Sequence, residues 1–232
     1  MKYSYHLLEK NRALQSLEAT AGGEELRMDK ISDCLCTNCV GIVATLIFVF
    51  ILGGILAYSG LFHRVVVRKL VNPVGKLRVA YLYNTGPYRN CGPLFDRVSR
   101  LAPHARCLGI YYDDPKVTPE SELRYMVGTI LSEDGERVDD KINKRCEDDG
   151  FRVIEFPAIS EAIGTNFPFP WMLSIFIGVW RVYPALNKKI KEEELHPGPC
   201  FEIYSDGMTN FYIPLNNRDA YYVPEALKTK ST

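Results

Sequence analysis

CFEIYSDGMTNFYIPL, running from Cys200 to Leu215, reads as two strands about a turn. FEIYS alternates side chains in strand fashion, Asp206-Gly207 supplies turn chemistry, and NFYIPL resumes the extended pattern. An earlier stretch has the same order: CLGIYY, then Asp113-Asp114-Pro115, then RYMVGTIL. Leu108-Gly109-Ile110-Tyr111 corresponds to Phe201-Glu202-Ile203-Tyr204, each ahead of an Asp-containing turn and another strand. Outward from the first copy, LRVAYLY is a strand closed by Asn84-Thr85-Gly86-Pro87. Pro93 to Leu101 follows as a short helix with Leu94, Val98 and Leu101 on one face. A polar helix is expected near Asp139 to Asp149. In the second half, FRVIEFP is a strand, and Trp171 to Leu195 a long helix that Pro184 should kink or split. Each half is thus strand, helix, strand, strand, an internal duplication. The expected class is α+β, with antiparallel strands covered by helices on one face.

Upstream, Val40 to Phe62 holds no charged residue in 23 positions. As a helix it would be about 34 Å long, enough for a hydrocarbon core of roughly 30 Å. A buried core helix of that length normally carries a polar stripe, which this run lacks. The acidic residues before it and the absence of a short basic leader argue against a cleaved signal peptide. Arg64, Arg68, Lys69, Lys76 and Arg78 follow the run with no acid before Asp96. By the positive-inside rule the larger C-terminal portion faces the cytosol and the N-terminal segment a lumen or the outside. The same basic cluster suits anionic lipid headgroups better than a specific nucleic acid.

The seven cysteines do not form a compact disulfide framework. Cys34, Cys36 and Cys39 cluster ahead of the apolar run, one ligand short of a structural zinc site. The remaining four are widely spaced and read as free thiols. His6, His63, His104 and His196 are isolated, and neither a phosphate loop nor an HExxH motif occurs. No cofactor and no metal is implied. Asp113-Asp114 reads as the end of a strand, and Cys107 and Cys200 as core thiols.

The candidate site lies on FEIYS, where Glu202 and Tyr204 share a face while Phe201 and Ile203 point the other way. A carboxylate and a phenol projecting together can anchor a cation or help to move a proton. Tyr81 and Tyr83 share a face of the first strand and are expected to wall the same hollow, suiting an apolar or cationic small molecule. The alternative is a Glu202 merely solvated on an open sheet face. WMLSIFIGVW, Trp171 to Trp180, is too short to cross a bilayer; it reads as a core helix, with partial insertion beside the membrane as the other option.

With VAYLYNTGPY at Val79 to Tyr88, GIYYDDP at Gly109 to Pro115, CFEIY at Cys200 to Tyr204 and NFYIPL at Asn210 to Leu215, residues 76–226 resemble the GyrI-like, or SOUL-like, effector-binding fold. Together with the apolar run, the whole resembles the testis-expressed ER-phagy receptor family. The resemblance implies a cleft between duplicated halves that binds hydrophobic or cationic compounds, and in some bacterial members hydrolyses cyclopropane-containing toxins. It implies that Glu202 is the cleft glutamate, with Tyr204 as a neighbouring wall residue. It also implies residence in the endoplasmic reticulum membrane and recruitment of autophagy proteins through an aromatic-x-x-aliphatic motif. Phe151 to Ile154 and Tyr5 to Leu8 fit that bare pattern; the former reads as a core strand, and the latter falls on the lumenal side.

The expected organisation is therefore a lumenal segment over 1–39, a transmembrane helix over 40–62, a basic linker over 63–75, a GyrI-like domain over 76–226 and a short tail over 227–232. The expected role is a cytosol-facing adaptor or ligand-binding protein anchored in the lipid bilayer, with a cytosolic segregase or autophagy proteins as partners. The second expectation is a hydrolase using Glu202 in a dry cleft. A truly apolar, closed pocket around Glu202 with a raised pKa favours the hydrolase, and an open cleft with a fully exposed carboxylate favours the adaptor.

Overall fold

Strand alternation after residue 67 builds one antiparallel sheet. The computed structural model describes residues 39–136, 144–146 and 148–228. These divide into two units, one ending at Leu56 and one beginning at Ala57. The first is occupied by helix α1, Cys39–Tyr58, whose last residues enter the second unit. With a mean hydropathy of 2.8 and none of its apolar window buried, α1 is long and apolar enough to cross a membrane.

The second unit holds β1 (Arg68–Val74), β2 (Leu77–Thr85), α2 (Gly92–Leu101), β3 (Cys107–Tyr111), β4 (Arg124–Glu133), β5 (Arg152–Phe156), β6 (Ile159–Pro168), α3 (Met172–Glu192), β7 (Cys200–Ser205), β8 (Met208–Pro214) and α4 (Pro224–Lys228). The eight strands form a single sheet in the order β1-β6-β8-β7-β3-β4-β2-β5. The two halves, β2-α2-β3-β4 and β6-α3-β7-β8, meet at its centre, where β3 runs antiparallel to β7 with Gly109 opposite Glu202. The edges are exchanged: β1 leaves its sequence neighbour β2 to pair with β6, and β5 leaves β6 to pair with β2. Each half thus lends one outer strand to the other.

Two cores follow from the alternation along each strand. One face gathers Val79, Tyr81, Leu108, Ile110, Met126, Phe201 and Ile203, and is closed by Tyr221, Val223 and Ala226 of the C-terminal segment. The other gathers Ala80, Tyr111, Tyr125 and Val127 beneath Val98 and Leu101 of α2. Helix α3 lies on this second side, burying Ser174, Ile177, Gly178, Val182 and Leu186.

Several expectations change here. The strand opening the second half is β6, not FRVIEFP; the latter becomes edge strand β5. Sequence reading passes over ISEAIGTNFP because Gly164 and Asn166 lower its strand propensity, yet its neighbours on both sides supply ladder partners. The stretch 63–75 is not only a linker, since it contains β1. Pro73 is tolerated there because β1 is an edge strand with an irregular register between Val71 and Val74. Pro184 sits inside α3 without splitting it, although it leaves the Trp180 carbonyl without its helical donor. The polar helix expected near Asp139 to Asp149 lies largely outside the described residues, as do Tyr5 to Leu8, Cys34 and Cys36. Cys39, Cys91, Cys107, Cys146 and Cys200 are free thiols.

Candidate functional site

Glu202 is fixed by ladder bonds on both flanks, β3 on one side and β8 on the other. Its side chain points toward α2 and α3, opposite to Phe201 and Ile203, as alternation requires. It is not solvated on an open sheet: only 6% of its surface is exposed. Oε1 accepts a hydrogen bond of 2.6 Å from the Tyr183 hydroxyl, and Oε2 one of 2.5 Å from the Tyr204 hydroxyl. Tyr183 comes from α3, whereas Tyr204 stands two residues along the same strand. At the end of β3, the Tyr111 hydroxyl lies 3.9 Å from the Cys91 sulfur, and its phenol also bonds toward the Glu202 carboxylate. Gly109, directly across from Glu202, leaves room for this arrangement. A Cβ there would stand 3.0 Å from the Tyr111 ring.

The surroundings are aromatic. Phe95 of α2 meets the Tyr204 ring edge-on at 5.2 Å, Phe169 meets it at 5.3 Å, and Phe211 meets Tyr183 at 6.0 Å. A cavity of about 20 Å³ lies beside the carboxylate, lined among others by Phe167, Ser174, Thr209 and Phe211. That is room for one water molecule and no more. The Ser174 hydroxyl oxygen lining it is buried and has no hydrogen-bond partner among the described residues.

Burial pushes the Glu202 carboxyl above its ordinary range, and the hydrogen bonds from Tyr183, Tyr204 and Tyr111 oppose that rise. Burial raises the phenols of Tyr183, Tyr204 and Tyr111 as well, with the Glu202 charge adding to it. The phenols therefore remain protonated donors. No Lys or Arg offsets Glu202 among the described residues. A buried carboxylate held only by neutral donors is a strong hydrogen-bond acceptor.

Tyr81 and Tyr83 do not wall this hollow. Odd-numbered residues of β2 face the opposite core, where the Tyr81 hydroxyl donates to Glu225 at 3.1 Å and Tyr83 packs beside the cluster containing Met126. A shared face on one strand does not decide which side of the sheet it shares with a strand three places away. Conversely, sequence reading missed Tyr183, Tyr111, Phe95 and Ser174. The signal for Tyr111 was present, because it occupies the position of Tyr204 in the duplicated tetrapeptide. Tyr183 sits in a helix whose aromatic residues all resemble core positions, so nothing local marked it.

The remaining candidates are structural. Asp113 forms a nearly enclosed pair with Arg124, accepting from Nη2 at 2.6 Å, from Nε at 3.0 Å and from the Arg124 backbone N–H at 2.7 Å. Arg124 also donates to the Ala226 carbonyl at 2.5 Å, tying the C-terminal segment to β4. Burial raises the thiols of Cys91, Cys107 and Cys200, which keeps them protonated and poorly nucleophilic.

The model of the GyrI-like small molecule binding domain matches residues 72–215. Human testis-expressed protein 264 is 35% identical over 200 residues, covering 86% of this chain and 64% of that protein. Its mouse homolog is 35% identical over 173 residues, covering 75% of this chain and 56% of its own length. The chain thus spans less than two thirds of either relative. A crystallised conserved protein from Listeria innocua superposes with a TM-score of 0.44 at 10% identity, over 64% of this chain and 91% of that one.

Proposed function

This chain belongs to the GyrI-like small-molecule-binding family, and from that premise we propose that it is a membrane-anchored receptor for an apolar small molecule bearing a cationic group. The observation that carries the reading is Glu202, buried among aromatic rings and held by phenol hydroxyls, with no Lys or Arg beside it among the described residues. A ligand ammonium can replace those donors, gaining a charge-assisted contact and cation–π contacts with Tyr204 and Phe95. The water-sized cavity means that entry moves side chains aside, chiefly Tyr183 and the first turns of α3. By the criterion set from sequence, the closed site with its raised Glu202 pKa counts toward the hydrolase rather than toward a purely scaffolding adaptor.

The membrane component rests on α1 and on the basic residues after it, Arg64, Arg68 and Lys69. The resemblance suggests the endoplasmic reticulum, with the sheet domain in the cytosol and a link to ER-phagy through autophagy proteins or a segregase. In that setting the ligand site is an input to an adaptor. A hydrolytic reading uses the same carboxylate as general base, favoured by its raised pKa in a dry site.

The test is a thermal-shift panel of hydrophobic quaternary ammonium compounds on the full chain and on Glu202→Gln. Stabilisation of the parent that vanishes in the variant is expected, and equal stabilisation of both would remove Glu202 from the site. Ligand turnover by the parent alone would select the hydrolytic reading. Protease added outside sealed microsomes should digest residues 72–226, and protection of that region would overturn the cytosolic orientation.

A further inference from the structure

The outer face of α3 is apolar where a solvated helix would be polar. Met172, Phe176, Val179 and Trp180 are 68%, 69%, 50% and 69% exposed. Their spacing of four, three and one residues puts them on a single stripe. Farther along the same helix the exposed positions are Pro184, Lys188, Lys191 and Glu192, with Lys188 paired to Glu192 at 3.7 Å. The buried face of the helix has its own partners in Ile177, Gly178 and Val182, so the outer stripe is not a core face turned outward.

The start of α3 is locked to the last residues of the apolar run, Ser59 to Leu61, which lie past the end of α1 at Tyr58 and not within a helix reaching Phe62 as expected. The Trp171 indole N–H donates to the Ser59 hydroxyl at 2.6 Å, and Ser59 is fully buried. Arg181 donates to the Gly60 carbonyl at 3.1 Å and also to the Leu61 carbonyl. Gly60 has a φ of +92°, and a Cβ there would fall within 2.9 Å of the Phe167 ring and of Pro168. His63 meets Phe167 edge-on at 5.5 Å. The chain just past α1 is therefore clasped directly against the first three turns of α3.

We propose that the Met172–Phe176–Val179–Trp180 face is seated in the lipid surface, lying in the plane of the bilayer as a second membrane contact. The inference rests on the anchoring reading of α1. If that segment spans a bilayer, Ser59 to Leu61 stand at its surface, and whatever clasps them stands there too. A helical stretch from Met172 to Trp180 is only about 13 Å long, too short to cross and suited to lie flat in the interface. Tryptophan favours that depth, and Lys191 beyond it is placed to meet headgroup charge. A lipid occupant also links the membrane to the site. Ser174 and Gly178 of the same helical segment line the cavity beside Glu202, so lipid engagement of the outer face bears on how the inner face opens.

The experiment uses the full chain reconstituted in vesicles of phosphatidylcholine and phosphatidylserine, with lipids brominated near the headgroup as one quencher and soluble acrylamide as the other. The chain has two tryptophans, so the difference between the parent and Trp180→Phe reports Trp180. Expected are a blue-shifted Trp180 emission, quenching by bromolipid and poor quenching by acrylamide. Adding Phe176→Glu and Val179→Glu, both at exposed positions, should reverse the two quenching results without unfolding the domain. Retention in the vesicles after an alkaline wash, together with a Trp180 quenched by acrylamide, overturns this inference and leaves the anchor standing. Release by the wash overturns the anchor, and this inference falls with it. A Trp180 shielded from both quenchers shows a protein surface covering the face and refutes the lipid assignment.

Discussion

Replacing Tyr183 by Phe removes one hydroxyl, the donor to Oε1 of Glu202 at 2.6 Å. A hydrogen bond to a charged group contributes about 1.5–3 kcal/mol, against about 0.5–1.5 kcal/mol for a neutral one. Tyr183→Phe should therefore cost about 1.5–3 kcal/mol when Glu202 is ionised. For a domain of this size that is a loss of roughly 3–12 °C in Tm. Placed on Glu202→Gln, the same change should cost only about 0.5–1.5 kcal/mol, giving a coupling near 1 kcal/mol. The assay is urea unfolding of the full chain in mild detergent, followed by tryptophan fluorescence, across the four members of the cycle. The pH dependence follows from the raised pKa. The folded state holds the Glu202 proton more tightly than the unfolded state, so the stability linked to that proton is fully present below the ordinary value of 4.5. It is lost as pH rises through the folded pKa, and Glu202→Gln should remove that decline. Equal costs of Tyr183→Phe in both backgrounds would refute the claim that the phenol serves the carboxylate.

Arg124→Ala should cost about 3–5 kcal/mol, because it leaves Asp113 charged and nearly enclosed with no partner; urea unfolding measures it, and a cost below 1 kcal/mol would contradict the burial argument. Gly109→Ala should destabilise by about 1–3 kcal/mol as the new methyl presses on the Tyr111 ring, and should weaken binding of any ammonium ligand identified by thermal shift. Gly60→Ala combines a left-handed backbone with contact against Phe167 and should cost about 1–3 kcal/mol, read as increased acrylamide access to Trp171.

Some of this was written in local sequence because the forces involved are local. The apolar run from Val40 to Phe62, the Asp206-Gly207 turn and the amphipathic spacing of Leu94, Val98 and Leu101 depend on residues within a few positions of one another. So does the placing of Glu202 and Tyr204 on one face of FEIYS, since side chains of a strand alternate whatever it pairs with. The tetrapeptide echo further set Gly109 against Glu202 as the asymmetric pair of a duplicated unit, and the sheet makes them cross-strand neighbours.

Pairing across the chain decided the rest. Ile159–Pro168 becomes a strand because β1 and β8 flank it, and Arg68–Val74 becomes an edge by crossing to the other half. Only the assembled sheet shows that Tyr81 and Tyr83 lie behind it, away from Glu202. Only the docking of α3 brings Tyr183 to the carboxylate, closes the site to the size of a water molecule and leaves Phe176 and Trp180 facing outward. Periodicity tells a residue which neighbours share its side; the partner that side will meet is fixed by contacts between segments far apart in the chain.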